Sequence, residues 1–312
     1  MYEPYYGLRE RPFKLTSNPR YLLLTSMHAE GLSTLQYGIS NRLGIIVLSG
    51  EAGTGKTTVV RAAIASQPSG RFVLMNNPLL SAAEFCQYVG DGFGLSDAEM
   101  SSKPRFLTAL RRTLEDSAEA GHHVALVVDE AHALPREVLE EIRLLANIET
   151  DDVKLLPVVM AGQPELDERL NQHDLRQLKQ RIALRCSLGA LKAKETAAYI
   201  AGRIRVAGGD AAQLFTQEAV ELIHRCSQGL PRTISVICDN ALVSGFAADE
   251  RPIGAATVRS VCIDLDLPVP ELPVPTFALP ELHLREAPAQ RLRQVVPVSS
   301  RRRFSFRMPF RS

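Results

Sequence analysis

The sequence predicts an α/β fold: a parallel sheet covered by helices, then a small all-helical domain and a basic tail. Three observations carry that prediction. From about residue 43 to residue 190, short apolar runs alternate with helical stretches, the pattern of a parallel sheet buried on both faces. A glycine-rich turn, Gly50-Glu51-Ala52-Gly53-Thr54-Gly55-Lys56-Thr57, separates the first apolar run from the helix behind it. After about Leu191 the strands stop and only helical stretches follow.

In chain order, residues 1–42 hold the turn-rich stretches Tyr6–Phe13 and Ser17–Arg20, then a helix from about Met27 to Asn41. The first strand is Gly44-Ile45-Ile46-Val47-Leu48, and the helix after the turn runs to about Ser66. Arg71–Met75 is a second strand, followed by helices around 82–93 and 104–120. Val124–Val128 is wholly apolar and reads as a buried strand; a helix follows from about Pro135 to Ala146, then a strand over Lys154–Met160. A helix near Leu175 leads into a last strand at about Ile182. Lys194–Val206, Thr216–Ser227 and Pro231–Phe246 are the helices of the second domain, punctuated by Gly208-Gly209 and Gly229. Leu267–Pro275 alternates proline with other residues as an extended linker. The domain reading is therefore an N-terminal segment 1–42, an α/β domain 43–190, a helical lid 191–262, and a linker and tail 263–312 whose composition predicts disorder.

Composition sets the bounds on function. The 312 residues are 45% hydrophobic and 23% charged, as in a globular protein with room for about two domains. Net charge is only +1, yet residues 281–312 carry eight arginines against Glu281 and Glu286, so the first 280 residues are net acidic. An anionic macromolecule would meet that tail first. Five scattered cysteines, with no C-x-x-C pair, fit buried thiols in a reducing compartment better than a disulfide framework or zinc site. The start of the chain lacks the character of a signal peptide, and no apolar run approaches the ~20 residues of a membrane helix. The expected location is the cytoplasm, with room for a peripheral position at the inner membrane.

The glycine-rich turn fits G-x-x-x-x-G-K-[ST] and stands between a strand and a helix, where such a loop aims main-chain N–H groups and a helix dipole at phosphate oxygens. Gly50, Glu51, Ala52, Gly53, Thr54, Gly55, Lys56, Thr57 and Thr58 are the expected nucleotide-binding residues; Lys56 supplies a charge and Thr57 a hydroxyl for Mg²⁺. The apolar strand 124–128 ends in Asp129-Glu130. A carboxylate at that sheet edge is placed to hold the metal, so Asp129 pairs with Thr57 as an expected magnesium ligand. Glu130 is the candidate to polarise the attacking water. Asp129-Glu130-Ala131-His132 also spells a helicase box, but such helicases need two consecutive motor domains and this chain has room for one. His122, His123 and His132 read as surface histidines. Gln163, after the strand 154–160, is placed near a γ-phosphate, and a polar turn residue is an equal account. Arg232 opens the last lid helix, from which it either reaches the nucleotide or lies on the surface. Arg176, Arg181 and Arg185 cluster where the chain enters its last strand; one of them could serve a neighbouring subunit, and a solvated helix face accounts for others.

Taken together these motifs occur in the order of the AAA+ ATPases, and the chain resembles more narrowly the ExeA, or general secretion pathway protein A, ATPase group. The residues that carry the likeness are Tyr6-Gly7-Leu8 with Pro12-Phe13, the phosphate loop through Thr58, Asn77-Pro78, Leu139–Leu145, Ala161–Leu166 and Gly229-Leu230-Pro231-Arg232. The resemblance implies an oligomerising ATPase using ATP and Mg²⁺, with Gln163 as first sensor, Arg232 as second sensor and Arg181 as arginine finger. It implies a homo-oligomer acting on envelope secretion or polysaccharide-export proteins; related ATPases regulate DNA transposition. Here a proline-rich linker and basic tail stand where secretion members carry a membrane helix and a peptidoglycan-binding domain. Three readings follow: an envelope-assembly ATPase, a DNA-binding transposition regulator, and a nucleotide-gated scaffold without significant hydrolysis. The tail 281–312, with Arg301–Arg303 beside Phe304, Phe306 and Phe310, suits DNA or an anionic membrane surface.

Overall fold

Apolar runs become strands of one sheet: β1 Ile45–Gly50, β2 Arg71–Met75, β3 Val124–Val128, β4 Val158–Gly162 and β5 Ile182–Leu188. The computed structural model describes residues 1–270 apart from Leu24, Asn77 and Pro78. The strand order is β2-β3-β4-β1-β5, and every neighbouring pair is parallel. Parallel strands need crossovers, and the sequence supplies them as helices. Ahead of β1 stands α1 Ser26–Ser40; the crossovers are α2 Lys56–Ala65, α3 Ala82–Gly92, α4 Asp97–Met100, α5 Lys103–Glu119, α6 Arg136–Leu145, α7 Pro164–Leu170 and α8 Arg176–Lys179. Beyond the sheet come α9 Ala193–Val206, α10 Ala211–Leu214, α11 Gln217–Ser227, α12 Pro231–Ala247 and α13 Ala255–Asp264.

Successive side chains of a strand point to opposite faces, and β1 uses both. Ile45 and Val47 pack with Phe85 and Val89 of α3, Phe106 and Leu110 of α5, and Ile142 of α6. Ile46 and Leu48 pack on the other face with Leu35 and Ile39 of α1 and Val59 and Ala63 of α2. β1, β3 and β4 are buried along their whole length, whereas β2 and β5, at the sheet's edges, are only partly so. A wholly apolar run therefore marks a central strand, and a mixed run marks an edge.

A third core lies among α9, α11, α12 and α13, around Ile204, Ile223, Ile234, Ile237 and Val258. Tyr2, Tyr6, Leu8 and Phe13 are buried in this same core, so the first residues of the chain pack with helices some 190 positions further on. The Tyr2 hydroxyl donates to Asp239 Oδ1 at 2.5 Å, and the Arg9 amide donates to the Ala207 carbonyl at 2.8 Å. Arg203 of α9 fixes the next stretch by donating to the carbonyls of Pro12 (2.7 Å) and Lys14 (2.8 Å).

Three expectations are corrected. The strand expected over Lys154–Met160 begins only at Val158, because Pro157 interrupts the apolar run; its carbonyl still accepts from Leu126 N at 3.0 Å. The helical region also contains α10 and α13, which the sequence reading passed over. α13 is rich in β-branched residues, whose helix propensity is lower by tenths of a kcal/mol each, but burying Val258 and Val261 contributes roughly 1.5–3 kcal/mol apiece. Finally, the chain does not leave the helices at residue 263: Leu267 and Val269 pack on the helical core, and Arg259 Nη2 donates to the Pro270 carbonyl at 3.2 Å. The tail 281–312 and the motif Asn77-Pro78 lie outside the described residues.

Candidate active site

β1 delivers the chain to Gly50, the loop turns, and α2 starts at Lys56 with Gly55 as its N-cap. The turn depends on Gly53, whose φ is +83°. A Cβ there would lie 2.8 Å from the Cβ of Arg232, so the loop and the start of α12 touch at this point. The Arg232 amide, one of the unsatisfied N–H groups in the first turn of α12, donates to the Gly53 carbonyl at 3.2 Å.

Lys56 is buried and donates to the carbonyls of Gly50 (2.7 Å) and Glu51 (3.1 Å). Burial pushes its ammonium below the ordinary lysine value, while Glu130, Asp129, Glu51 and Glu165 favour the charged form. The Thr57 hydroxyl donates to Asp129 Oδ2 at 2.6 Å, and Asp129 Oδ1 accepts the Glu130 amide at 3.0 Å. A hydroxyl beside a carboxylate is an all-oxygen donor set that suits a hard divalent cation such as Mg²⁺. Parallel pairing places these groups together, because Val47 of β1 and Val128 of β3 both pair with Met160 of β4, so β1 and β3 end at the same edge of the sheet.

Glu130 has a left-handed backbone, φ +53°, and its carboxylate is about half exposed. Lys56, Thr57, Thr58, Glu130 and Arg232 line a single recess of about 760 Å³, with Lys14, Thr16 and Ser17 on the N-terminal side. A smaller neighbouring cavity is lined by Asn18, Tyr21, Leu22, Leu23, His28, Leu191 and Tyr199. The two cavities share Thr16, Gly55, Thr58, Tyr199, Arg203 and Pro231. Both touch the phosphate loop; the first is the more polar, and leucines and tyrosines bound part of the second.

Gln163 follows β4 at the same end of the sheet and is the N-cap of α7. Its Nε2 lies 3.2 Å from His132 Nε2, and its main-chain N–H donates to His132 Nδ1 at 3.4 Å. His132 is thus not simply a surface histidine; it contacts both Gln163 and Glu130. The arginines of the β5 junction stand elsewhere. Arg181 precedes Ile182, which pairs with Ile45 at the opposite end of β1 from the phosphate loop, about 17 Å away along the strand. Arg176 is exposed, and Arg185 forms a 3.0 Å ion pair with Asp167. None of the three lines the recess of its own chain.

Sequence reasoning missed the residues that reach the recess from outside the motifs. His28 is buried, and its Nε2 lies 3.0 Å from the Thr54 carbonyl of the phosphate loop while Nδ1 meets the Thr25 hydroxyl at 2.7 Å. Tyr21, Leu191 and Tyr199 bound the second cavity. The only available signal was apolar and aromatic residues in a turn-rich stretch, which reads as ordinary core.

A phosphate loop on β1, a carboxylate pair at the end of β3 and a helical region closing over both define a phosphate-loop protein of the AAA+ class. Residues 40–170 match the AAA domain family. General secretion pathway protein A of Aeromonas hydrophila is 40% identical over 254 residues, 81% of this chain and 46% of that protein. The chain belongs to the AAA+ group of that protein, and it spans about half the length of this curated relative. Among solved structures, the Aeropyrum pernix ORC2 protein in its ADPNP–ADP complexes superposes with a TM-score of 0.62 at 18% identity, over 83% of this chain and 72% of that one. The Thermotoga maritima RuvB Holliday junction branch migration motor gives 0.53 at 16% identity, over 78% and 70%. At such identities these two similarities establish the fold.

Proposed function

We propose that this chain is a magnesium-dependent ATPase that works as a homo-oligomer to drive or regulate assembly of an envelope secretion or export system. The observation that carries the chemistry is the convergence of Lys56, the Thr57–Asp129 pair and Glu130 on one recess that Arg232 borders from the lid. Lys56 is held by loop carbonyls and offers a charge to the outer phosphates. Magnesium, held through Thr57 and Asp129, would offset charge on the phosphate oxygens. Glu130 orients water for attack on the γ-phosphorus and takes up the water's proton on its way to solvent; the new P–O bond forms as the bond to the bridging oxygen breaks, and ADP leaves with that electron pair. Arg232 joins phosphate loop and lid, so loss of phosphate is felt by α12. The cavity beside Tyr21 and Tyr199 takes the adenine.

Two features support the oligomer. The recess lacks an arginine from β5 of its own chain, and Arg181 stands exposed at the far end of that edge strand, available to a neighbour. The 40% identity to General secretion pathway protein A supports the envelope assignment. Among the described residues no helix is long and apolar enough to cross a membrane, and the working location is the cytoplasmic side, peripheral to the inner membrane. The arginine–phenylalanine tail favours a second reading, a DNA-binding regulator of transposition. Salt-sensitive DNA retention lost on deletion of 281–312 would support it, whereas binding to anionic vesicles without DNA retention supports the first. For the chemistry, Glu130→Gln is expected to bind ATP like the wild type and to lose turnover. Wild-type protein that binds ATP without hydrolysing it would leave only a nucleotide-gated scaffold.

A further inference from the structure

The peptide joining Thr54 to Gly55 stands between two environments. Thr54 is buried and lines the second cavity with His28, whereas Gly55 borders both that cavity and the phosphate recess. The Thr54 N–H and hydroxyl both return to the Glu51 carbonyl, at 3.3 and 2.8 Å. Those bonds anchor the residue and leave the peptide after it unconstrained. Gly55 follows with φ +101°, and glycine adopts either sign of φ at similar cost. The loop's own backbone therefore does not decide which way this peptide faces.

His28 decides it. The side chain is buried, and its Nε2 lies 3.0 Å from the Thr54 carbonyl oxygen. A carbonyl only accepts, so Nε2 carries the hydrogen of this contact whether the ring is neutral or charged. The rest of the ring is tied to the start of α1. Its Nδ1 meets the Thr25 hydroxyl at 2.7 Å, and the same hydroxyl caps the helix by accepting the His28 main-chain N–H at 3.3 Å. Among the described residues no other donor reaches the Thr54 carbonyl. The peptide is trans, with C=O and N–H on opposite sides of one plane. A carbonyl drawn to His28 thus turns the Gly55 N–H away from it, to the side where Gly53, Lys56 and Thr57 line the recess. Among the described residues that N–H donates to no protein acceptor.

We infer that His28 is a positioning residue of the phosphate loop, which holds the Thr54 carbonyl back and so keeps the Gly55 N–H directed at a phosphate oxygen. With the peptide reversed, a carbonyl oxygen would face the phosphate chain and repel it. The inference rests on the reading of the recess as a triphosphate site, and His28 acts there through the main chain.

The pair Thr-Gly occurs once in the 312 residues. Labelling threonine with ¹³C at its carbonyl and glycine with ¹⁵N therefore isolates this peptide as a single cross-peak of the full chain. Adding magnesium and a non-hydrolysable ATP analogue should move the wild-type Gly55 proton downfield, as a hydrogen bond to an anion does. A peak that stays in place while calorimetry shows binding would overturn the inference. His28→Phe keeps a buried ring without the donor. In that variant the Thr54 carbonyl carbon should move upfield before nucleotide is added, and analogue affinity should fall about tenfold. KM should rise by a similar factor while kcat stays within about twofold, since the contact is made equally before and during reaction. His28→Gln, whose carboxamide donates from a position near that of Nε2, should recover most of the affinity. A loss equal to that of His28→Phe would assign the effect to ring packing and overturn the inference. Wild-type affinity in His28→Phe would also overturn it and leave the triphosphate reading standing. A wild-type chain that binds no analogue removes that reading and the role of His28 with it.

Discussion

Replacing Arg203 with methionine tests how the N-terminal residues are attached to the helical region. Arg203 is 7% exposed, and its guanidinium donates to Pro12 O (2.7 Å), Lys14 O (2.8 Å), the Tyr199 hydroxyl (2.5 Å) and Ser235 Oγ (3.3 Å). The rings of Tyr21, Tyr199 and Phe13 surround it, with centroids 4.7, 5.4 and 5.9 Å from the guanidinium carbon. Among the described residues no carboxylate forms an ion pair with it, so carbonyls, hydroxyls and ring faces compensate its burial. Methionine fills the stem and supplies no donor. Two carbonyls lose their partner at about 1–3 kcal/mol each, and the ring contacts are worth about 0.5–2 kcal/mol together. Removing a desolvated charge offsets part of that loss, leaving a net cost of about 3 kcal/mol. Urea unfolding followed by circular dichroism should show the midpoint falling by about 1 M. Arg203→Lys should recover less than half, since an ammonium cannot reproduce the planar fork. A loss below about 1 kcal/mol for the methionine variant would refute the idea that Arg203 clamps the first residues to α9 and α12.

Gly53→Ala should weaken ATP binding by about tenfold or more, because a left-handed residue and a 2.8 Å contact with Arg232 together cost about 2 kcal/mol or more; unchanged affinity in calorimetry would show that loop and lid do not touch as described. Mixing Arg181→Ala with Lys56→Ala protein should restore ATPase activity through hybrid sites, and no recovery at any ratio would remove Arg181 from a neighbour's site. Burial pushes the half-buried thiols of Cys86 and Cys186 up to about 11. Alkylation by iodoacetamide should therefore be slow at pH 8 and rise about tenfold per pH unit until pH approaches 11; the rate of an ordinary exposed cysteine at pH 8 would contradict that burial.

What the sequence revealed was what lies close together along the chain. The phosphate loop is one contiguous stretch, and β1 and β3 announce themselves as unbroken apolar runs because both their faces are covered. Pro157 hid the start of β4 by splitting an apolar run whose first leucines, Leu155 and Leu156, are buried before the strand begins. The contacts of Arg203 with Pro12 and Lys14 span some 190 residues, and a single sequence carries no mark of such a pairing. His132 was legible as a histidine after an Asp-Glu pair but not as a bridge, because its second partner, Gln163, arrives from β4. Tyr199 bounds the second cavity from α9 while Tyr21 reaches it from the N-terminal segment; each alone looks like core.

All of these roles presuppose one event at the end of β1. Titration calorimetry of the wild-type chain with ATP, with and without magnesium, measures that event directly. Saturable binding that tightens when magnesium is present, and disappears in Lys56→Ala, is the predicted result. Heat changes indistinguishable from dilution in both buffers would contradict the assignment of this recess to a triphosphate.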